Sequence, residues 1–372
     1  MQFSYWEKAT WLQNVDHLVV GGGIVGLFSA LFLRERYPNQ SILVVEKDTW
    51  GAGGSTKNAG FACFGSPSEV LDDLNNLGEV ETQILIQQRW EGLQLLRSQL
   101  GDSNIGYEPC GGIELFRASQ NELLRQVRGH LSQINTLVSE VVGQSCYSEN
   151  NELLQKHGLQ GFQTAFINPL EGAIHTGKMY KSLILKCRKA SIEILNGFEI
   201  QELNEKSDFV EVKVSRGYFN ASQVHVCTNG FARLLLPELD VHPARNLVLV
   251  TSPIPDLKLH STFHMERGYF YFRHIEGRVL IGGGRHLDPD KESTTDQEVN
   301  PLIKDALLSL LREEILPGQT FDIAYEWTGV LGIGERRTAI VQSVSNRINC
   351  GVRMGGMGVA IGSLIGRKMA YL

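Results

Sequence analysis

The apolar residues of this chain recur with two different periods, and the alternation between them outlines the elements. His17-Leu18-Val19-Val20 is a continuous apolar run, the pattern of a strand buried on both faces. It enters Gly21-Gly22-Gly23 and then a helical stretch to about Tyr37, which Pro38 ends. Ser41 to Glu46 reads as a second buried strand, giving a β-α-β unit of roughly thirty residues. Ahead of it, Ser4-Tyr5-Trp6-Glu7 has capping-box spacing and predicts a short helix to about Gln13. From 68 to 158 apolar positions fall at helical spacing, most clearly over Thr82–Leu100 and Glu122–Val142, with a short strand pair expected around Gly112–Phe116.

Leu183–Ala190 continues as helix, and Ile192-Glu193-Ile194-Leu195 opens a run of strands. Val210–Val214 alternates strictly, and Val224–Cys227 is a short apolar strand ending at Thr228-Asn229-Gly230. Beyond Leu236 longer strands follow: Asn246–Thr251, Tyr269–Arg273 and Arg278–Gly282, the last two joined by a turn at Ile275-Glu276-Gly277. Asn300–Glu314 predicts a helix, and a final helix follows Gly358.

Composition narrows the class. A chain of 372 residues exceeds one compact core and suits two interleaved domains. Its 42% hydrophobic and 20% charged residues predict a folded protein. Net charge is −6 with no long basic run, which argues against a nucleic-acid partner. The six cysteines are scattered without a C-x-x-C pair, against a metal site or redox dithiol and in keeping with a reducing, cytoplasmic compartment. Leu18–Leu33 is uncharged but falls short of the ~20 apolar residues of a spanning helix. Asp16 and His17 stand where a signal peptide would be basic, so neither a transmembrane nor a targeting segment is expected.

The chemistry begins at Gly21-x-Gly23-x-x-Gly26, placed after a strand and opening a helix. Gly21 permits the tight turn, Gly23 lets backbone approach a pyrophosphate, and Gly26 lets the helix pack on the sheet. Phosphates then rest on the helix N-terminus at Ile24, where unpaired N–H groups and the dipole favour anions. Glu46 closes the next strand twenty residues after Gly26, in register to accept hydrogen bonds from ribose hydroxyls and to repel a 2′-phosphate. After Glu46 comes a long glycine-rich loop, Trp50-Gly51-Ala52-Gly53-Gly54-Ser55-Thr56-Lys57-Asn58-Ala59-Gly60. Such a loop can lie along an extended pyrophosphate and bring backbone against a flat ring, whereas an NAD-linked dehydrogenase would pass directly into another helix.

These pieces, with Thr228-Asn229-Gly230, Pro243-Ala244-Arg245, Val279-Leu280-Ile281-Gly282-Gly283 and Met354-Gly355-Gly356-Met357-Gly358-Val359 in that order, resemble the D-amino-acid-oxidase superfamily of FAD-dependent oxidoreductases. That group includes glycine oxidase, sarcosine oxidase and gamma-glutamylputrescine oxidase. The resemblance implies an α/β fold: a Rossmann-type FAD-binding domain interleaved with an α+β substrate domain on a mainly antiparallel sheet. The first would comprise residues 1–80, 160–235 and 325–372, the second 81–159 and 236–324. It further implies that Lys47, Ser55 and Thr56 contact ribose and pyrophosphate, that Asn58, Ala59 and Gly60 line the flavin, and that Ile200 offers its backbone to adenine. Gly355, Gly356, Met357, Gly358 and Val359 would put N–H groups at the flavin pyrimidine edge, where a helix's positive end stabilises reduced flavin.

The resemblance departs from its relatives at the substrate. Leu331 follows Trp327-Thr328-Gly329-Val330 where glycine oxidase has a carboxylate-binding arginine, and Arg353-Met354 replaces a His-Gly pair. Arg337 matches the putrescine-derivative oxidases better. No cysteine stands where sarcosine oxidase attaches its flavin, so FAD is expected to be non-covalent, with Cys63 an inert thiol. Tyr269, Tyr271 and Arg273 share one strand face. There Tyr271 would wall the pocket and Arg273 grip a carboxylate, with Arg337 or Arg353 as alternatives. His264 and His274 read as surface or core histidines, and no acid–base pair is evident. The expected reaction is oxidation of a small amine or amino acid by hydride transfer to flavin N5, giving an imine; the electron acceptor, oxygen or another, is left open. A 2-hydroxy-acid oxidase is the alternative, disfavoured by Met354 where a histidine base would stand. A non-catalytic flavin-binding subunit is the other.

Overall fold

The computed structural model describes residues 2–51 and 53–372; Met1 and Ala52, the latter inside the glycine-rich loop, lie outside the described residues. Val15–Val20 is almost wholly buried and runs parallel to Ile42–Glu46 on one side and Gly217–Val226 on the other. Glu193–Asn196 extends the sheet past Ile42–Glu46, and Ile348–Val352 extends it past Gly217–Val226, both in parallel. Ile340–Ser343 adds an antiparallel edge, and the ribbon of Ile200–Glu205 and Val210–Val214 pairs onto Gly217–Val226. Parallel strands covered on both faces are largely apolar, which is why Leu18–Val20 and Ile42–Val45 read as continuous runs rather than alternations.

The helix Ile24–Arg36 is buried at every position from Ile24 to Leu33. It lies between the sheet, the helix Thr176–Lys189 and the last helix, Gly358–Met369. Each Leu, Phe or Ile fully removed from water there contributes about 1.5–3 kcal/mol. Those contacts hold the helix N-terminus against the glycine turn. The last helix is itself clasped between Ile24–Arg36 and the long helix Glu79–Leu100.

A second eight-stranded sheet runs in the order Ile323–Ile333, His242–Thr251, Arg278–Gly283, Phe270–Ile275, Thr262–Met265, Gly112–Arg117, Phe162–Asn168, Ser148–Glu149. Every pair in it is antiparallel except Gly112–Arg117 with Thr262–Met265. A third, two-stranded pairing joins Phe61–Ala62 to Gly172–Ala173. Among the described residues no helix is long and apolar enough to cross a membrane.

Two expectations are corrected. Gly112–Phe116 does not form a local strand pair: it is one strand whose partners, Phe162–Asn168 and Thr262–Met265, lie far along the chain. Long-range pairing leaves no turn signal beside the strand. Phe162–Asn168 and Ile323–Ile333 fall in segments expected for the Rossmann unit, yet both hydrogen-bond into the second sheet. In the latter case a ladder from His242–Ile333 to Thr251–Ile323, with one register shift between Val250 and Thr251, commits the strand to that sheet.

Candidate active site

The glycine turn is built by close approach. Gly21 has φ +109°, donates its N–H to Val45 O at 2.8 Å, and would place a Cβ 2.8 Å from Cys227 O. At Gly26 a Cβ would stand 1.9 Å from Gly21 O, so this glycine serves helix-to-turn packing and does not line the cavity. Gly23 caps the helix in an extended conformation, and its Cβ would meet Ser55 Oγ at 2.8 Å. That hydroxyl accepts the Ile24 N–H at 2.8 Å. Glu46 folds over the turn, its Oε2 accepting Gly22 N–H at 2.9 Å and its Oε1 accepting Asp48 N–H at 3.1 Å. Tyr180, outside the sequence reading, donates its hydroxyl to Gly22 O at 2.9 Å.

These groups line a cavity of about 320 Å³ together with Lys47, Ile200, Thr228 and Asn229. The Lys47 ammonium sits 5.0 Å above the Phe231 ring at its mouth. Thr228 Oγ1 is buried there without a hydrogen-bond partner. Two expected residues are not on this wall. Thr56 turns its hydroxyl back onto Gly51 O, within its own loop. Gly230 packs against the neighbouring strand, where a Cβ would stand 2.4 Å from Leu331 O.

A second cavity of about 410 Å³ shares Gly54, Asn58, Leu331, Met354, Gly356 and Val359 with the first, so the two form one elongated space between the sheets. Asn58 fixes the loop: its amide donates to Gly54 O at 3.1 Å and Ser55 O at 3.0 Å, and its Oδ1 accepts from Gly60 N–H at 2.9 Å and from Thr176 Oγ1 at 2.9 Å. Ala59 and Gly60 follow on the wall. Opposite them, Gly355 and Gly356 take positive φ and lead through Met357 into the helix at Gly358, whose N-terminus points at the shared region. Asn229 Oδ1 braces this turn by accepting Met354 N–H at 3.1 Å.

The arginines separate by what each already holds. Arg273 is a correction: its guanidinium is buried and donates to Gly60 O at 2.7 Å, Ile174 O at 2.9 Å and His274 O at 3.2 Å. It pins the ring-facing loop from behind and lines neither cavity. Arg353 is engaged by Thr338 O and by Asp240. Arg337 does line the second cavity, but Asp72 and Asp73 neutralise it. The sequence reading missed Arg285, which lines the same cavity, stacks 4.7 Å from the Tyr269 ring, and forms no ion pair with a described carboxylate. Burial pulls its pKa below the usual arginine value. Its signal lay in Gly282-Gly283-Gly284-Arg285: a Cβ on Gly282 would stand 2.7 Å from the Tyr271 hydroxyl, so the glycines make room for a wall that ends in a cation. Tyr271 lines the cavity as expected, burial pushing its phenol up to about 12.

His274 accepts Gly277 N–H at 2.9 Å and caps its turn. His264 is instead a wall residue, as are Asn246, whose buried Oδ1 lacks a partner, and Glu69. Cys63 also lines the cavity, its thiol pushed well up by burial and the nearby Glu171.

A family model described as FAD dependent oxidoreductase (DAO) matches residues 16–372. The chain belongs to that family. Among curated relatives, the gamma-glutamylputrescine oxidoreductase of Escherichia coli is 26% identical over 384 residues, covering 96% of this chain and 83% of the relative. Among solved structures, an L-proline dehydrogenase from P. horikoshii matches with TM-score 0.76 at 15% identity, covering 97% of this chain and 93% of the other. A glycine oxidase from Bacillus cereus matches with TM-score 0.73 at 18% identity, covering 96% and 94%.

This DAO-family protein is therefore an FAD-dependent oxidoreductase, and its mixed α/β architecture is that of the family's solved structures. The elongated space fits the cofactor on its own terms. Its narrow end has the glycine turn, a helix N-terminus for phosphate, the Glu46 carboxylate and an orphaned Thr228 hydroxyl. Its larger end is lined by the Asn58–Gly60 loop and by the turn and first residues of the last helix.

Proposed function

We propose that the protein oxidises a small amine carrying a carboxylate, at the C–H next to nitrogen, with FAD held non-covalently. The observation that carries this is Arg285, a half-buried cation on the wall of the wide cavity with no carboxylate partner among the described residues. A partly desolvated charge of this kind is better satisfied when an anionic ligand completes it. Tyr269 supports its plane and Tyr271 walls the space beside it.

In this reading Gly21, Gly23 and Ile24 cradle the pyrophosphate and Ser55 braces the turn. Glu46 and Lys47 meet the adenosine ribose, and Ile200 offers its backbone to adenine. Thr228 and Asn229 border the chain between the two ends. Asn58, Ala59 and Gly60 line one side of the ring system, and Gly355 to Val359 the other. Bound FAD supplies the hydride acceptor; the protein supplies alignment and exclusion of water. Two features favour a non-covalent cofactor: burial keeps the Cys63 thiol protonated, and Trp327 donates its indole N–H to Lys57 O at 2.9 Å with no cysteine in the strand around it.

The substrate class of the gamma-glutamylputrescine, glycine and proline enzymes is compatible with this reading. A 2-hydroxy acid gains support from one observation, the histidine on the cavity wall. The deciding experiment mixes yellow holoenzyme anaerobically with amino acids, N-alkyl amino acids, uncharged amines and 2-hydroxy acids while absorbance near 450 nm is followed. Bleaching confined to amines with a carboxylate is expected, and bleaching by hydroxy acids alone would transfer the assignment to the second reading.

A further inference from the structure

Several other buried or half-buried histidines of this chain use at least one ring nitrogen on a neighbour, although His225 and His286 each leave Nδ1 unpartnered. His17 contacts Gln40 at 2.6 Å and His225 at 3.1 Å, His157 contacts Lys258 O at 3.0 Å, and His274 accepts Gly277 N–H. His264 does not. It lies on Thr262–Met265 with 6% of its surface exposed, lines the wide cavity, and keeps Nε2 buried without a hydrogen-bond partner. The Phe61 ring holds it edge-on at 5.1 Å and holds Tyr271 in the same way at 5.5 Å. A buried imidazole fixed in place but left unpaired is placed for a ligand or a proton.

We propose that His264 takes a proton from the substrate's ammonium nitrogen, and that the Glu69 carboxylate stabilises the imidazolium so formed. This rests on the amine reading above. In the step, one N–H bond of the ammonium breaks, its electron pair remains on nitrogen as the lone pair, and the proton bonds to an imidazole nitrogen. Total charge is unchanged and no further reactant is required. The amine thereby acquires the lone pair that release of its neighbouring hydride demands. Arg285 lines the same cavity, so one space offers a cation to a carboxylate and His264 with Glu69 to an ammonium.

The charged neighbours agree with this assignment. Glu171 Oε2 lies 3.8 Å from His264 Nε2, while its Oε1 accepts Phe64 N–H at 3.0 Å and Gly65 N–H at 3.3 Å. Glu69, from the helix Pro67–Leu77, lines the same cavity and accepts Ser66 N–H at 2.9 Å. Glu114, beside His264 in the ladder, is engaged by Ser68; Tyr271 is its partner on the other side. Arg89 is paired with Asp73 at 3.1 Å, Arg267 lies 3.7 Å from Asp72, and Cys63 is protonated. Burial lowers the His264 pKa and the Glu69 charge opposes that shift, so the ring is neutral at neutral pH.

Two readouts test the inference on FAD-loaded protein. In the first, sarcosine and L-proline reduce the flavin in stopped-flow between pH 6 and 10. His264→Gln should be slower by about 10²-fold at pH 7 with FAD content unchanged, and should recover toward pH 10, where the amine arrives already deprotonated. Parental rates at pH 7, or the same deficit at both ends of the range, would overturn the assignment. The second readout needs no turnover: ¹³C NMR of histidine-labelled holoenzyme, the His264 resonance being the one lost in His264→Gln. Its midpoint should lie below 6.5 and fall further in Glu69→Gln, which retains the acceptor for Ser66 N–H. A ring that does not titrate, or that ignores Glu69→Gln, overturns the inference. Failure of every amine to bleach the parent enzyme would instead sink the amine reading alone.

Discussion

Arg273 and Arg285 show how little residue type decides without knowledge of partners. Both are cations beside the same cavity, but three backbone carbonyls hold the first and none of the described carboxylates holds the second. Arg273→Met should therefore leave Ile174 O unpaired and Gly60 O with only the Ile174 N–H, and cost about 1–3 kcal/mol of stability in urea unfolding, with substrate affinity unchanged in the FAD-loaded fraction. Arg285→Met should do the opposite, weakening a carboxylate substrate by at least about tenfold with little loss of stability. If affinity instead followed Arg273, the grip would lie on that strand after all. Glu171 gives a residue-scale test in pH. Burial raises its carboxyl from 4.5 to about 8, so between those values the folded chain holds a proton that the unfolded chain releases. Stability from this group is therefore full below pH 4.5 and declines as pH rises toward 8. Glu171→Gln, which keeps an acceptor for the Phe64 and Gly65 N–H groups, should gain on the parent by more than ~1 kcal/mol between pH 5.5 and 8. A gap between the two proteins that is constant across that range would show the carboxyl to be ionised in the fold.

At the scale of elements, the last helix depends on glycines for its position. A Cβ on Gly366 would stand 2.5 Å from Phe28 Cβ and 2.8 Å from Val25 O, and one on Gly362 would stand 2.7 Å from Ile24 Cγ2. On the long helix Glu79–Leu100, Gly92 meets Ala360 O in the same way, at 2.2 Å. Gly366→Val should push Gly358–Met369 off the Ile24–Arg36 helix, costing about 2–3 kcal/mol and displacing the turn at Gly355 and Gly356. Urea midpoints and FAD content of purified protein would register both, and parental values for each would mean the helices are not in contact through this face. Strands with a local signature were legible at this scale: Val210–Val214 alternates and is a strand with those bounds, and Pro38 and the glycine turn bracket Ile24–Arg36. Ile323–Ile333 was not. Its polar first half and glycine-broken second half carry no period, and its identity comes from the ladder it forms with His242–Thr251.

For the whole molecule, the elongated space between the two sheets ties cofactor to stability. A ligand bound only by the folded state stabilises it by mass action, about 4 kcal/mol at a thousandfold excess over Kd. Removing FAD should accordingly lower the thermal midpoint by several degrees and re-adding it should restore the value; equal midpoints with and without FAD would place the cofactor outside this space. The two sheets also explain which parts of the site could be read from the chain. The FAD end is local: Gly21, Gly23, Ser55 and Glu46 lie within one β-α-β unit and its following loop, so spacing alone conveys their roles. The substrate end is not. His264, Glu69, Glu171 and Arg285 come from a strand, a helix start, a turn and a short 3-10 helix that meet only in the assembled fold. Arg273 was misjudged because alternation gives a side chain's face, and not the carbonyls that it finds there. The sequence by itself determined the fold class and the flavin cradle, because periodicity and glycine spacing act over a few residues. Only the tertiary structure decided which arginine and which histidine remain unengaged, because a buried polar group's role depends on what packing brings within hydrogen-bond reach.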